Sequence, residues 1–177
     1  MTQSLFTQSS TIGVDLVNQS ATALFAVGSH ILGSNDSEWV YVQAQTTISS
    51  LSWVAFNATF SAGMASATDF TTEGQGIALA NGQISASSFG WVAIRGINLS
   101  ALFTGTGSLA PTSGQLQLAS SAGPTGVVML GTVGTASCTM LGVSLVATAT
   151  SSASGLGTGG ANVCLVNIFW PVRPNTP

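Results

Sequence analysis

The sequence predicts an all-β protein: a single-domain antiparallel β-sandwich or barrel, jelly-roll-like, with an extended N-terminal segment. The first observation behind this fold class is that short apolar or alternating segments recur about every ten residues between turn residues. The second is that helix-forming residues are scarce. Lysine is absent, and glycine or serine interrupts every longer stretch that has the 3.6-residue period of a helix.

The predicted strands begin with Trp39-Val40-Tyr41-Val42-Gln43-Ala44, which follows a run of turn residues. Alternation places Trp39 and Tyr41 on one face of this strand, and Val40 and Val42 on the other. The dipeptide Asn81-Gly82 is typical of a hairpin turn after a strand at 76–80. The other predicted strands are 52–60, 89–96, 115–118, 127–133, 140–148 and 163–170.

The two ends of the chain differ from this pattern. Residues 1–24 are polar with sparse apolar anchors such as Phe6, which predicts either an extended arm or a first strand. Residues 25–170 form the predicted β domain. Residues 171–177 contain three prolines, so we expect Pro171 to end the last strand and the tail to stay outside the sheet.

The charge content is low, with two arginines, five acidic residues and one histidine in 177 residues. Charged residues make up 4% of the chain, against about 25% in an ordinary domain. Two arginines cannot neutralise the phosphates of a nucleic-acid site or form a polybasic membrane anchor. The apolar stretch 127–150 is interrupted by glycines, which argues against a membrane-spanning helix. We therefore expect neither nucleic acid nor a membrane as partner.

The start of the chain lacks the basic and apolar regions of a secretory signal. Cys138 and Cys164 could form a disulfide if their strands are neighbours, but two small buried thiols are the favoured interpretation.

No residue pattern indicates catalysis, a cofactor or a metal site. His30 and Asp36 could form a triad with a serine, but no strained nucleophile turn of the G-x-S-x-G type occurs. The acidic pairs, Asp36 with Glu38 and Asp69 with Glu73, could act on a glycosidic bond. Turn chemistry is the better explanation for Asp36 and Glu38, which precede a strand. We expect a protein that is not an enzyme.

The aromatic residues and arginines are the remaining candidates for function. Aromatic residues at strand spacing usually form the core, whereas in an interface protein some of them anchor a partner. The candidate interface or core anchors are Phe6, Trp39, Tyr41, Phe89, Trp91, Arg95, Trp170 and Arg173.

The order of several segments resembles a family of small tailed-bacteriophage virion proteins regarded as capsid decoration, or cement, proteins. The resemblance spans roughly residues 24–173, and its most specific part is Phe89-Gly90-Trp91-Val92-Ala93-Ile94-Arg95-Gly96, seven residues after Asn81-Gly82. The other segments that carry it are Glu38-Trp39-Val40-Tyr41-Val42-Gln43-Ala44, Val54-Ala55, Gly76-Ile77-Ala78-Leu79-Ala80 and Val163-Cys164-Leu165-Val166, with the Pro/Arg ending.

The resemblance implies a virion structural protein, made in the cytoplasm of a bacterial host and placed on the outer capsid surface. Its expected partners are the major capsid protein and further copies of itself, as a homodimer or homotrimer. There it would bridge neighbouring capsomers and stabilise the head. The alternative function is a phage fibre or adhesin-like β module that binds host-surface carbohydrate through exposed tryptophans.

Overall fold

The structure, a computed structural model, describes residues 14–34, 36–66, 76–104, 116–119, 128–129, 136–152 and 161–172. Within these residues there are ten strands and no helix, which confirms the all-β prediction. The strands are β1 (His30–Leu32), β2 (Glu38–Ala44), β3 (Trp53–Phe56), β4 (Ser61–Met64), β5 (Gly76–Ala80), β6 (Phe89–Thr104), β7 (Leu116–Ala119), β8 (Val128–Met129), β9 (Ala136–Ser152) and β10 (Ala161–Val172).

Five of the strands pair in a closed circuit. β2 pairs with β4, β4 with β3, β3 with β5, β5 with β6, and β6 again with β2. The circuit therefore returns to its first strand. The second half of β6 continues beyond this circuit and pairs with β10, which pairs with β9, which pairs with β7.

The sheet, predicted to be antiparallel, is mixed, because β2–β4 and β6–β8 are parallel pairs. The first of these follows from the circuit itself. Strand directions cannot alternate all the way round a ring with an odd number of strands, so a ring of five needs at least one parallel pair. That pair is β2–β4, where Gln43 and Ala44 lie opposite Ser61 and Ala62.

The two faces of the circuit belong to two different cores. One core consists of small and β-branched residues from the five ring strands and their connections: Val40, Val42, Ala44, Ile48, Val54, Ala62, Ala78, Ala80, Ile84, Val92 and Ile94. The other contains Trp39, Tyr41, Trp53 and Trp91 and also draws in Ile168 of β10. The predicted split of β2 into an aromatic face and a valine face is therefore confirmed.

The described part of the N-terminal segment, residues 14–24, forms no strand but contacts the body of the protein. Val14 and Leu16 are buried in the core that contains the tryptophans. Ser20 forms an isolated antiparallel bridge with Phe89 at the start of β6. Residues 14–20 are thus packed on the domain, while Phe6 precedes the described residues.

The connection after β5 is longer than the hairpin signal Asn81-Gly82 suggests. β5 and β6 are antiparallel neighbours, but residues 81–88 separate them. Ile84 in this loop bridges to Ile48, and Ser87 adopts a left-handed conformation with a φ of 66°. The loop is held by contacts distant in sequence, and these override the local preference for a two-residue turn.

The sequence predicts that Pro171 ends the last strand, and this prediction is wrong. β10 continues to Val172, which lies opposite Leu141 of β9. The ladder is irregular between Ile168 and Val172, and Pro171 lies inside this irregularity. A proline is tolerated at such a position because no ladder hydrogen bond from its nitrogen is needed.

The register of β9 separates the two cysteines. Cys164 lies opposite Thr148, whereas Cys138 lies opposite Leu118 on the other side of β9. Ten positions of one strand separate Cys138 from Thr148, about 33 Å at about 3.3 Å per residue. A disulfide needs Cα atoms within about 7 Å, so this fold favours two thiols over a disulfide within the chain.

Candidate interaction surface

Four of the five acidic or basic side chains that the structure describes meet at one end of the sheet. The strand register brings two of them together, because Glu38 of β2 lies opposite Arg95 of β6. On its other side Glu38 lies opposite Leu32 of β1. Arg95 in turn lies opposite Phe169 of β10. Residues directly opposite in antiparallel strands share a face. A row across four strands therefore contains Leu32, Glu38, Arg95 and Phe169.

The charges in this region are paired with one another. The Arg95 Nη2 atom donates to Asp36 Oδ2, and the side chains of this pair are 29% and 57% exposed. His30 Nδ1 lies 3.2 Å from Glu38 Oε1. Exposed pairs of this kind contribute about 0–1 kcal/mol, so their effect here is mainly to position side chains. The Arg95–Asp36 pair has no net charge, and among the described residues Glu38 is the one further carboxylate of this region.

Trp170 is the most unusual residue of the region. Its φ is 46°, a left-handed conformation that is rare for a bulky residue, and its side chain is 52% exposed. The guanidinium carbon of Arg95 lies 5.2 Å from the centre of its ring, within the range of a cation–π interaction. We call Leu32, Asp36, Arg95, Phe169 and Trp170 the Trp170 surface.

The other predicted anchors lie inside the protein where they are described. Trp39, Tyr41 and Trp91 are buried and Phe89 packs against them. The rings of Tyr41 and Trp91 are 4.9 Å apart, and Phe25 contacts both at 5.4 and 5.3 Å.

The hydroxyl of Tyr41 accepts a hydrogen bond of 3.2 Å from the backbone amide of Leu24, which fixes residues 24–25 over this cluster. Phe6 and Arg173 are outside the ranges given above.

The described ionisable groups do not join in the triad that the sequence left open. His30 pairs with Glu38 while Asp36 pairs with Arg95, so His30 and Asp36 are not joined in a triad. Asp69 and Glu73 fall in a part of the chain that the structure does not describe. Among the residues searched, no group of three or more His, Cys, Asp or Glu side chains could hold a metal ion. No helix in the described part is long and apolar enough to span a membrane.

The residue pattern indicates Arg95 and Trp170 as candidate anchors, but it does not indicate Leu32 or Phe169. It also does not predict the contact between Arg95 and Trp170. Comparison with protein-family models, with curated proteins and with solved structures found no match for this chain. The family resemblance of the sequence therefore stays a prediction.

Proposed function

We propose that this chain is a virion structural protein that binds the outer surface of a phage capsid and bridges neighbouring capsomers. The observation that carries the proposal is the Trp170 surface, which combines the Arg95–Asp36 ion pair with exposed large apolar side chains. Leu32, Phe169 and Trp170 are 71%, 45% and 52% exposed.

The chemistry of such a surface suits permanent contact with protein. Exposed apolar side chains are stabilised when a partner covers them, at about 25 cal/mol per Å² of apolar area removed from water. Few unpaired charges have to be desolvated, so the usual penalty for burying ions at an interface is small. Hydroxyl groups from the 25 serines and 21 threonines offer uncharged hydrogen bonds around the apolar contacts.

The size of the chain favours self-association on the shell. A stable protein interface covers about 1,200–2,000 Å² in total, and a protein of 17.7 kDa that bridges several capsomers must divide its surface among them. A dimer or trimer links several weak contacts and raises their effective concentration. A passive clamp of this kind needs no catalytic group.

The test is binding of the purified protein to capsid shells that lack it, measured as occupancy over a salt series. We expect occupancy to stay nearly constant between about 0.1 M and about 1 M salt, although the Debye length falls from about 10 Å to about 3 Å. Particles without the protein should rupture at a lower temperature than decorated ones. A steep loss of occupancy with salt, or equal heat resistance of both particles, would refute the proposal.

The exposed ring of Trp170, which lies against the Arg95 that binds Asp36, also supports the carbohydrate-binding alternative. The other three tryptophans, Trp39, Trp53 and Trp91, are at most 4% exposed, so a ligand that changes tryptophan fluorescence without unfolding the protein would report on Trp170. Quenching by host-surface glycans would favour this alternative over the capsid function. An unchanged spectrum with every glycan would argue against it.

A further inference from the structure

The backbone at the end of β10 is arranged so that two neighbouring aromatic side chains are exposed together. In a regular strand successive side chains point to opposite faces, and one of Phe169 and Trp170 would turn inward. Here the ladder is irregular between Ile168 and Val172, and Trp170 takes its positive φ. Phe169 is 45% and Trp170 52% exposed as a result. Conformations of this type are strained and cluster at functional sites.

The exposed indole ring of Trp170 also contacts a side chain that is itself fixed, Arg95. The Arg95 guanidinium lies over the ring of Trp170 within the range of a cation–π interaction, and Asp36 binds this guanidinium. The Nε atom of Arg95 is buried and has no acceptor among the described residues, so the ion pair with Asp36 is the described polar contact that holds this side chain. An aromatic side chain that is fixed before binding loses little conformational entropy when a partner covers it.

We propose that Trp170 is the anchor residue of the contact with the capsid, and that it enters an apolar, uncharged pocket of the major capsid protein. This inference rests on the proposed function. Charge complementarity supports an uncharged receptor, because the Arg95–Asp36 pair carries no net charge and Glu38 is the one further carboxylate that the structure describes in the region, which leaves only a weak field for an ionic partner to match. Tryptophan and arginine are also the residue types most often found as binding hot spots.

The experiment compares three proteins in binding to shells that lack the decoration protein: wild type, Trp170→Ala and the control Leu24→Ala. Leu24 is 68% exposed but lies outside the Trp170 surface. We expect Trp170→Ala to weaken binding by at least about 30-fold, which corresponds to about 2 kcal/mol at about 1.4 kcal/mol per factor of ten. Leu24→Ala should bind within a few-fold of wild type. Asp36→Asn should weaken binding less than Trp170→Ala, because Asp36 is a positioning residue.

A second measurement uses the wild-type protein and does not depend on the folding of a variant. Oxidative footprinting with mass spectrometry should find Trp170 protected on shells and reactive in the free protein, while Leu24 stays reactive in both. Equal binding of Trp170→Ala and Leu24→Ala, or an unprotected Trp170 on decorated shells, would overturn this inference and leave the capsid function standing. Failure of the wild-type protein to bind shells would overturn both. Loss of glycan binding in Trp170→Ala with normal shell binding would assign Trp170 to carbohydrate instead.

Discussion

Replacement of Gly82 by alanine should destabilise the protein by forcing the N-terminal segment away from the β5–β6 loop. A Cβ atom at Gly82 would overlap the backbone carbonyl oxygen of Val17. A backbone group cannot rotate aside as a flexible side chain does, so either the loop or residues 14–20 must move. Leu16, next to Val17, is only 2% exposed and belongs to the tryptophan-containing core.

The size of the effect follows from these two ways of relieving the overlap. A local shift in a well-packed region costs about 1–3 kcal/mol. Undocking of the segment would expose Leu16, whose burial contributes about 1.5–3 kcal/mol. Both routes give a loss of about 1–3 kcal/mol in the free energy of unfolding. For a chain of this size each kcal/mol corresponds to about 2–4 °C, so Tm should fall by about 2–12 °C.

The assay is thermal and urea unfolding followed by tryptophan fluorescence, with Gly63→Ala as the matched control. The nearest atom to a Cβ at Gly63 is Thr46 Oγ1 at 3.4 Å, an ordinary contact. That substitution should be neutral or stabilise by up to about 1 kcal/mol, since it restricts the unfolded chain. Equal unfolding curves for the two variants would refute the claim that Gly82 is required by the close approach of Val17.

A double-mutant cycle with Leu16→Ala separates the two routes. If Gly82→Ala undocks the segment, Leu16 is already exposed in that variant. Adding Leu16→Ala should then cost much less than it does in the wild-type background. Additive effects would indicate a local shift of the loop instead.

Three further predictions concern the same region and the charged surface. Leu16→Ala should lower the free energy of unfolding by about 2–5 kcal/mol in urea titrations, whereas Val17→Ala, at a position 47% exposed, should change it by no more than about 0.5 kcal/mol. Hydrogen bonds from the backbone amides of Asn18 and then Val17, and from the Asn18 side chain, hold the pKa of Asp15 below its ordinary value of 3.8. A lowered pKa in the folded state stabilises the protein above pH 3.8, and this contribution is lost as the pH falls below that value. The Tm difference between wild type and Asp15→Asn should therefore shrink below pH 3.8; a constant difference would contradict this. Asp36→Asn should cost less than about 1 kcal/mol in thermal unfolding, because the carboxylate is 57% exposed.

The parts of the fold that the sequence predicted are those where one strand carries its own pattern. β2 alternates between aromatic residues and valines, and each set belongs to a different core because both faces of the five-strand circuit are covered. The sequence likewise predicts β5 and the start of β6 from their own residues. Their residue types alone place them in a sheet that is buried on both faces.

The parts that the sequence did not predict depend on partners distant in the chain. β1 has three residues and exists because it pairs with β2, and β4 is a strand because it joins both β3 and β2. The parallel β2–β4 pair follows from the number of strands in the circuit, which no local window contains. The eight candidate anchors carried no sign of which would be buried. Trp91 and Trp170 differ because Phe25 packs against Trp91 of β6, while β10 is irregular at Trp170.

The position of the few charges bears on how the protein can associate. Among the described strands β1 pairs only with β2, so its outer side is an open edge that could pair with other chains. Natural proteins protect such edges with short strands and with charged side chains, often lysine. This chain has no lysine, but β1 is only three residues long and begins with His30, and Asp36 and Glu38 follow it closely in the chain. Because these features oppose strand addition at β1, we expect specific association at this end to depend on apolar side chains such as Trp170.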